Sequence, residues 1–267
     1  LELEPGDPVV RFNLATAYEK VKKEPEAVRE YQKVLQLRPS DQEAMDRLAA
    51  LHFKAKRFSD AIPLYETLAK TSPRKGAIHA LLGHAYAELK RPAPSAQHYE
   101  RALRYGAKDP QILKNLALVY GQLGRTGESI AMYEKIAAQS PTMDALNILS
   151  EHYMKEKQYD KAIRVYQKLI DLNPKKAAGY ASMAHAYGMK GDLDRQIEYY
   201  RISLKHDPED DAAYASLGEA YEKKGLLQEA LKAYMAAYEL NPDQAKIGRR
   251  IPQLKIRIIE QKQQQQQ

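Results

Sequence analysis

The chain of 267 residues contains no cysteine and no tryptophan, and only three phenylalanines. Without cysteine it cannot form a disulfide, and it offers neither a thiol nucleophile nor a thiolate ligand for a metal ion. It has no apolar run long enough to cross a membrane, and its start, LELEPGDP, is neither a signal peptide nor a basic transit sequence. We therefore expect a soluble protein whose compartment is unknown, with the cytoplasm slightly favoured.

Motifs that carry chemistry are also missing: HExxH, GxxxxGK[ST] and GxSxG do not occur. The glycine-rich stretch GQLGRTGES lies at a predicted turn between two helices, with no strand before it. His79 and His84 are five residues apart on one predicted helix, so their rings do not share a face. His52 replaces a tyrosine of a regular column, which indicates a structural role. We expect no enzyme activity, no catalytic residue, no metal site and no cofactor.

The sequence is rich in tyrosine, and thirteen of its nineteen tyrosines recur at regular intervals in two columns. Most strides are thirty-four residues and one is thirty-three, so the chain is an internal repeat. The first column is Tyr18, His52, Tyr86, Tyr120, Tyr153, Tyr187 and Tyr221, and the second is Tyr31, Tyr65, Tyr99, Tyr133, Tyr166, Tyr200 and Tyr234. A third column is Pro39, Pro73, Ala107, Pro141, Pro174, Pro208 and Pro242.

Within each period, a leucine or methionine is followed by a small residue and, three positions later, by the first-column tyrosine. The leucine and the tyrosine then share one helical stripe, and the small residue lets a second helix approach closely. Proline ends the second helix. Gly124, Gly191 and Gly225 occupy the turn between the helices, where a left-handed residue is needed. Elsewhere this place is taken by lysines: Lys22, Lys56, Lys90 and Lys157.

This pattern resembles the tetratricopeptide repeat, a helix–turn–helix unit of thirty-four residues. The resemblance implies an all-α fold, a right-handed α-solenoid or superhelix of stacked pairs. We expect seven repeats over 8–242, at about 8–41, 42–75, 76–109, 110–142, 143–176, 177–210 and 211–244. Gln196 stands in a column of small residues and should loosen its pair. Repeats three to five are expected to be locally irregular, without a domain boundary.

Both ends carry further expectations. Residues 1–7 match the end of a repeat, so we expect a piece of a longer protein whose uncapped N-terminal end is available for self-association. Residues 245–262 form an apolar stripe typical of a capping helix, with a kink or restart at Pro252. The polyglutamine tail 263–267 is expected to be disordered.

Charge is concentrated at the C-terminus: from Ala245 onward there are six basic residues and one acidic residue, which is +5 of the total of +7. Such a tail can attract nucleic acid or acidic membrane. No aromatic residue is interleaved with its charges, and a terminal cap is often basic for solubility alone. Neither nucleic acid nor a membrane is therefore the expected partner.

In the resembled family, side chains two before, one before and two after the leucine column face the inner wall, where partners bind. The polar residues carried over to that concave groove are Asn13, Thr16, Asp46, Arg47, His84, Lys114, Asn115, Asn147, Glu151, His185 and Glu219. Arg47, Lys114 and Asn115 are the expected donors to a peptide. The family's carboxylate clamp for chaperone tails is incomplete, since the helices after Lys114 offer Asn147 and His185 where the clamp has a basic pair.

Two functions remain open at this point. The first is a non-catalytic scaffold that binds a peptide or helix of a partner protein in the concave groove. The second is the repeat arm of a larger enzyme, or of an envelope or secretion assembly machine, that presents substrate to a domain outside this chain.

Overall fold

The computed structural model describes residues 6–264, and within that range the regular structure is entirely helical. The all-α prediction is confirmed. The helices are α1 (Pro8–Lys20), α2 (Glu24–Leu37), α3 (Gln42–Lys54), α4 (Phe58–Thr71), α5 (Lys75–Glu88), α6 (Pro92–Arg104), α7 (Pro110–Gln122), α8 (Thr126–Gln139), α9 (Met143–Lys155), α10 (Tyr159–Leu172), α11 (Ala177–Lys190), α12 (Leu193–His206), α13 (Asp211–Lys223), α14 (Leu227–Leu240) and α15 (Ala245–Gln264).

Odd-numbered helices from α1 to α13, the first helices of their pairs, mostly begin at a side chain that caps them. The Asp41 carboxylate accepts from the backbone N–H of Ala44 at 3.0 Å, and that of Asp210 accepts from Ala213 at 2.8 Å. Each such bond satisfies one of the backbone donors that a helix N-terminus leaves unpaired. The caps therefore define where a pair starts.

A left-handed residue separates the two helices in each of the seven pairs, as predicted. Lys22, Lys56, Lys90 and Lys157 have φ between 55° and 59°, and the three glycines of this position have φ of 71°, 89° and 81°. Glycine adopts this conformation without a steric penalty, whereas lysine is held there by the surrounding turn. The prediction for all seven turns is confirmed.

Buried clusters join consecutive helices and therefore join neighbouring repeats. One cluster includes Met45 of α3, Tyr65 of α4 and Leu82 of α5. Another includes Ala184 of α11, Ile197 of α12 and Leu217 of α13. From α1 to α7, and again from α9 to α15, each helix packs on the next one along the chain. Such nearest-neighbour packing is the defining property of a solenoid.

The column of small residues has the predicted role. A methyl group added at Gly83 would lie 2.7 Å from the ring of Tyr99, and one at Gly218 would lie 2.7 Å from the ring of Tyr234. Both tyrosines are buried. A larger residue at either glycine would push the second helix away from the first.

Gln196 shows how the chain accommodates an exception in that column. Its side chain is buried, and an added Cβ at Gly188 would lie 2.5 Å from its Cδ atom. The glycine on α11 therefore leaves the space that the long side chain on α12 occupies. The sequence predicts a loosened pair here, whereas the structure shows Gln196 accommodated by a second small residue one turn further along the partner helix.

By its internal contacts the chain divides into two compact units, one up to Ile136 and one from Ala137. They are called the first and second unit and are described separately. The sequence predicts no boundary in repeats three to five. A repeat pattern cannot reveal this division, because the division falls inside α8 and the helix spacing continues through it.

The C-terminal helix α15 runs without interruption from Ala245 to Gln264, with Pro252 inside it. A restart at Pro252 is therefore wrong. Proline removes one helical hydrogen bond, and the burial of Ile247 and Leu254 on either side compensates for this loss. Helix α15 also extends through Gln264, two residues into the predicted disordered tail. The rest of that tail and residues 1–5 lie outside the described residues.

Candidate functional site

The first unit contains an open groove of about 550 Å³, here called the first groove. Helices α3, α5, α6 and α7 contribute to it. Its lining residues are Phe53, Ala77, Ala80, Leu81, His84, Tyr99, Ala107, Lys108, Asp109, Gln111, Ile112 and Asn115. The ring centroids of Phe53 and His84 are 5.4 Å apart. An apolar surface with a few polar groups is typical of a ligand-binding groove.

Polar groups of this groove are connected to each other. Asn115 Nδ2 donates to the hydroxyl of Tyr99 at 3.0 Å, and Asn115 Oδ1 accepts from Gln111 Nε2 at 2.8 Å. Burial raises the pKa of Tyr99 to about 12, although the Asn115 bond acts in the opposite direction. Asn115 was predicted as a donor to a peptide. The structure shows that one of its amide hydrogens is already used, so Asn115 supports Tyr99 as well as facing the groove.

The other five predicted wall residues of the first unit, which include Asn13, Thr16 and Arg47, do not line this groove. Thr16 Oγ1 donates to the backbone oxygen of Phe12 at 3.0 Å, and Asn13 is exposed on the same helix. Arg47 Nη1 lies 3.6 Å from Glu19 Oε1. The polar groups of Thr16 and Arg47 are therefore partly engaged within the repeat array.

Asp46 and Lys114 differ in what surrounds them. Asp46 Oδ2 accepts from Arg74 Nη2 at 2.7 Å, an ion pair between α3 and the residue before α5. Lys114 is exposed on α7 and is not among the lining residues of the first groove. The structure therefore brings together only His84 and Asn115 of the predicted first-unit residues.

The second unit contains a groove of about 380 Å³, here called the second groove. It brings together three predicted residues, Asn147, Glu151 and His185. Its remaining lining residues are Met143, Ser150, Met154, Tyr166, Leu169, Asn173, Lys176, Ala178, Gly179 and Ser182. Both grooves contain a carboxylate and an imidazole, but the second groove has a larger share of polar side chains, because Ser150, Asn173, Lys176 and Ser182 also line it.

Glu219, the last predicted residue, lines a different cavity of about 740 Å³ between α13, α14 and α15. Its carboxylate lies 3.3 Å from Lys246 Nζ. Basic side chains of α15 dominate this cavity: Lys246, Arg249, Arg250 and Arg257. The wall positions predicted from the sequence do not include these residues, although a stride of thirty-four from Ala215 and Ser216 leads to Arg249 and Arg250.

Glu222 is the centre of the contacts that hold α15 in place. Its carboxylate accepts from Arg250 Nε at 2.9 Å and from Arg257 Nη1 at 2.6 Å, and its side chain is only 10% exposed. Burial alone would raise the pKa of Glu222, but the hydrogen bonds and charges of Arg250 and Arg257 outweigh it and lower the pKa. Charge-assisted bonds of this kind are the strongest hydrogen bonds in a protein surface.

Within residues 6–264 no group of three or more histidine, aspartate or glutamate side chains is arranged to hold a metal ion. In the same part of the chain, no helix has the length and apolar character needed to span a bilayer.

Family models described as tetratricopeptide repeat match residues 12–73 and 182–245, 52–119, and 111–142. A further model, described as TPR repeat, matches residues 151–191. The chain belongs to the tetratricopeptide repeat family, and the family named from the sequence is confirmed. No curated protein sequence matches the chain.

Solved structures of similar fold include a chain of Naa15/Naa10 bound to HypK-THB, with a TM-score of 0.68, 16% identity, and coverage of 92% of this chain and 39% of that one. The crystal structure of MamA protein has a TM-score of 0.50 and 26% identity, covering 65% of this chain and 95% of that one. The TPR2AB domain of yeast Sti1, in complex with an HSP90 peptide, has a TM-score of 0.48 and 19% identity, covering 92% and 96%.

Proposed function

We propose that this chain is a non-catalytic scaffold that binds an extended peptide or a helix of a partner protein through the grooves of its first helices. The observation that carries the proposal is the first groove, to which three successive first helices, α3, α5 and α7, all contribute side chains. A groove formed before the partner arrives lowers the ordering cost of binding.

The first groove is suited to an apolar anchor. Phe53, Leu81 and Ile112 offer apolar surface, and all three are held in place by helix packing. An aromatic or branched side chain of a partner would be removed from water there, which is the main source of affinity in small interfaces. Asn115 and Gln111 at its margin would bond to the partner's backbone.

The second groove is suited to a polar segment. Glu151 accepts hydrogen bonds, and the exposed His185 offers two ring nitrogens for hydrogen bonding. Asn147 supplies an amide on the same surface. We propose these residues, with His84 and Asn115 of the first groove, as partner contacts. Asn13, Thr16, Asp46, Arg47, Lys114 and Glu219 remain proposed wall residues outside the two grooves.

The test begins with selection of peptides from a random display library on the full chain. The affinity of a selected peptide is then measured for the chain, for Ala77→Arg and for Ala55→Arg. Ala77 is exposed and lines the first groove, whereas Ala55 is exposed at the end of α3 and lines no groove of the first unit.

We expect Ala77→Arg to weaken binding at least about tenfold, because the long side chain occupies the groove. Ala55→Arg, with the same change in size and charge, should leave the affinity unchanged. Equal affinities of all three proteins for every selected peptide would exclude the first groove as the binding surface. Circular dichroism of both variants verifies that the helices are intact.

A further inference from the structure

A second cavity of the first unit, of about 680 Å³, has a composition unlike that of the grooves. Here called the basic cavity, it lies between α4, α5 and α6 and shares no lining residue with the first groove. Its lining residues are Glu66, Ala69, Lys70, Lys75, His79, Leu82, His98, Arg101, Arg104 and Tyr105.

Positive charge is in excess around the basic cavity. Lys70, Lys75, Arg101 and Arg104 line it, and within the described residues none of the four forms an ion pair with a carboxylate. Glu66 is the one carboxylate of the lining, and its Oε1 atom already accepts from the hydroxyl of Tyr86 at 2.7 Å. Lys75 Nζ lies over the ring of Tyr105, 5.8 Å from its centroid. Four cations without a carboxylate partner around one space create a local field that attracts anions.

Two buried histidines form the floor of the basic cavity. His79 Nδ1 and His98 Nδ1 are 3.0 Å apart, so one nitrogen donates a hydrogen bond to the other. In a neutral pair, the ring that accepts at Nδ1 carries its proton on Nε2. Within residues 6–264 no hydrogen-bond partner is found for either Nε2 atom. The accepting ring therefore has an Nε2–H donor that no side chain of the described residues uses.

Aromatic rings fix these histidines in position. Tyr105 stacks on His79 with centroids 5.4 Å apart, and Tyr86 stacks on His98 at the same distance. Burial lowers the pKa of both histidines, that of His98 to about 4, with Arg101 adding to the effect in each. These shifts favour the neutral form of both imidazoles, so the positive charge of the cavity comes from its lysines and arginines, and a bound anion would offset the repulsion among them.

We propose that the basic cavity binds a phosphate monoester, with Arg101 and Arg104 as its principal ligands. Guanidinium groups match the geometry of phosphate oxygens through paired hydrogen bonds, and clusters of arginine are a recurrent means of recognising phosphorylated segments. Lys70 and Lys75 add charge from α4 and α5. The volume exceeds that of a phosphate ion alone, which favours a phosphate carried on a larger group such as a phosphorylated side chain.

The experiment uses the full chain and isothermal titration calorimetry with two probes. The first is inorganic phosphate, and the second is a short phosphoserine peptide compared with its unphosphorylated form. Each is titrated into the chain, into Arg101→Gln with Arg104→Gln, and into Lys20→Gln with Arg29→Gln. The last pair removes the same charge from exposed residues of the first unit that do not line the basic cavity.

We expect the phosphoserine peptide to bind at least about tenfold more tightly than its unphosphorylated form. The Arg101 and Arg104 variant should lose that gain, and the control pair should keep it. Inorganic phosphate could instead bind with the same dependence on Arg101 and Arg104, while phosphorylation leaves the affinity of the peptide unchanged. In that case the ligand is free phosphate, and the basic cavity is still supported as its binding site. If neither probe binds in the millimolar range, or if the control pair weakens binding equally, the proposal is overturned.

The histidines provide a second readout. Imidazole NMR signals of His79 and His98 should shift on addition of either probe that binds. The proposal is independent of the peptide grooves, because Ala77→Arg should leave phosphate binding unchanged. A loss of groove binding with intact phosphate binding, or the reverse, separates the two hypotheses.

Discussion

Two helix pairs meet the same packing requirement in different ways. In α5–α6, Gly83 leaves room for the ring of Tyr99, whose hydroxyl accepts from Asn115 Nδ2. In α11–α12, Gly188 leaves room for the amide of Gln196, whose buried Oε1 atom has no partner among the described residues. The spacing of the two helices in a pair therefore depends on the combined size of the side chains that face each other. The two side chains that occupy these spaces, Tyr99 and Gln196, differ in whether their polar oxygen atom has a hydrogen-bond partner.

The largest effect is expected from filling the space at Gly83. Gly83→Ala places a methyl group against a rigid ring at 2.7 Å, so the ring or the helix must move. We expect a loss of about 2–3 kcal/mol in the free energy of unfolding, measured by urea denaturation.

Two other glycines serve as controls for this change. Gly188→Ala meets the end of a flexible amide, which can rotate away, and should cost less than about 1 kcal/mol. Gly127→Ala faces open space and should be neutral or slightly stabilising, since alanine favours a helix. Equal costs at Gly83 and Gly188 would contradict the distinction between the two pairs.

A second effect concerns Tyr234, which lies over Gly218 as Tyr99 lies over Gly83 but has a carboxylate as its partner. The Tyr234 hydroxyl donates to Glu222 Oε2 at 3.4 Å, and Glu222 also holds Arg250 and Arg257. Glu222→Gln should destabilise the chain by about 1–2 kcal/mol at neutral pH, because a buried charged acceptor is lost.

The contribution of Glu222 to the free energy of unfolding should depend on pH. The pKa of folded Glu222 is lowered, so its stabilising effect is complete above the unfolded pKa of about 4.3 and is lost as the pH falls through the folded value. The difference in unfolding free energy between wild type and Glu222→Gln should therefore shrink towards zero in acid. A difference that stays constant from neutral pH to acid would show that the arginine bonds are unimportant.

A smaller effect is expected at the hydroxyl of Tyr99. Tyr99→Phe keeps the ring against Gly83 and removes only the bond to Asn115. We expect a destabilisation of about 1 kcal/mol. Asn115→Ala should cost a similar amount, and the double variant should cost less than the sum of the two. Additive costs would indicate that the two side chains act independently.

The smallest expected change in the free energy of unfolding is a stabilisation. Gln196→Met keeps the length of the side chain beside Gly188 and removes the buried oxygen that lacks a partner. We expect a stabilisation of about 0.5–1 kcal/mol by the same denaturation measurement. Destabilisation would mean that water or a shift of the helix satisfies the oxygen.

Sequence periodicity predicts the helices, the turns and the small-residue column, because each is fixed by residues close together in the chain. Even the lysines with positive φ are predicted, because they lie whole repeat lengths away from the turn glycines. The accommodation of Gln196 by Gly188 is not predictable in this way, because a column of residues describes one helix, whereas the space between two helices depends on the residues of both.

The candidate sites were harder to predict for the same reason. Asn115 lies on the expected surface, but its bond to Tyr99 depends on the packing of α6 against α7. His79 and His98 are nineteen residues apart and were not predicted as a pair. Arg249 and Arg250 follow the period of thirty-four, but the apolar stripe of α15 predicts only a capping role for this helix.

The central claim, that the grooves of the first helices bind a partner, is tested most directly by methyl NMR. Alanine, leucine and isoleucine methyl groups of the full chain are labelled, and a selected peptide is added. The claim predicts that signals of Ala80, Leu81 and Ile112 shift on binding. Shifts confined to exposed residues away from both grooves, such as Leu37 and Leu240, with the groove methyls unchanged, would contradict it.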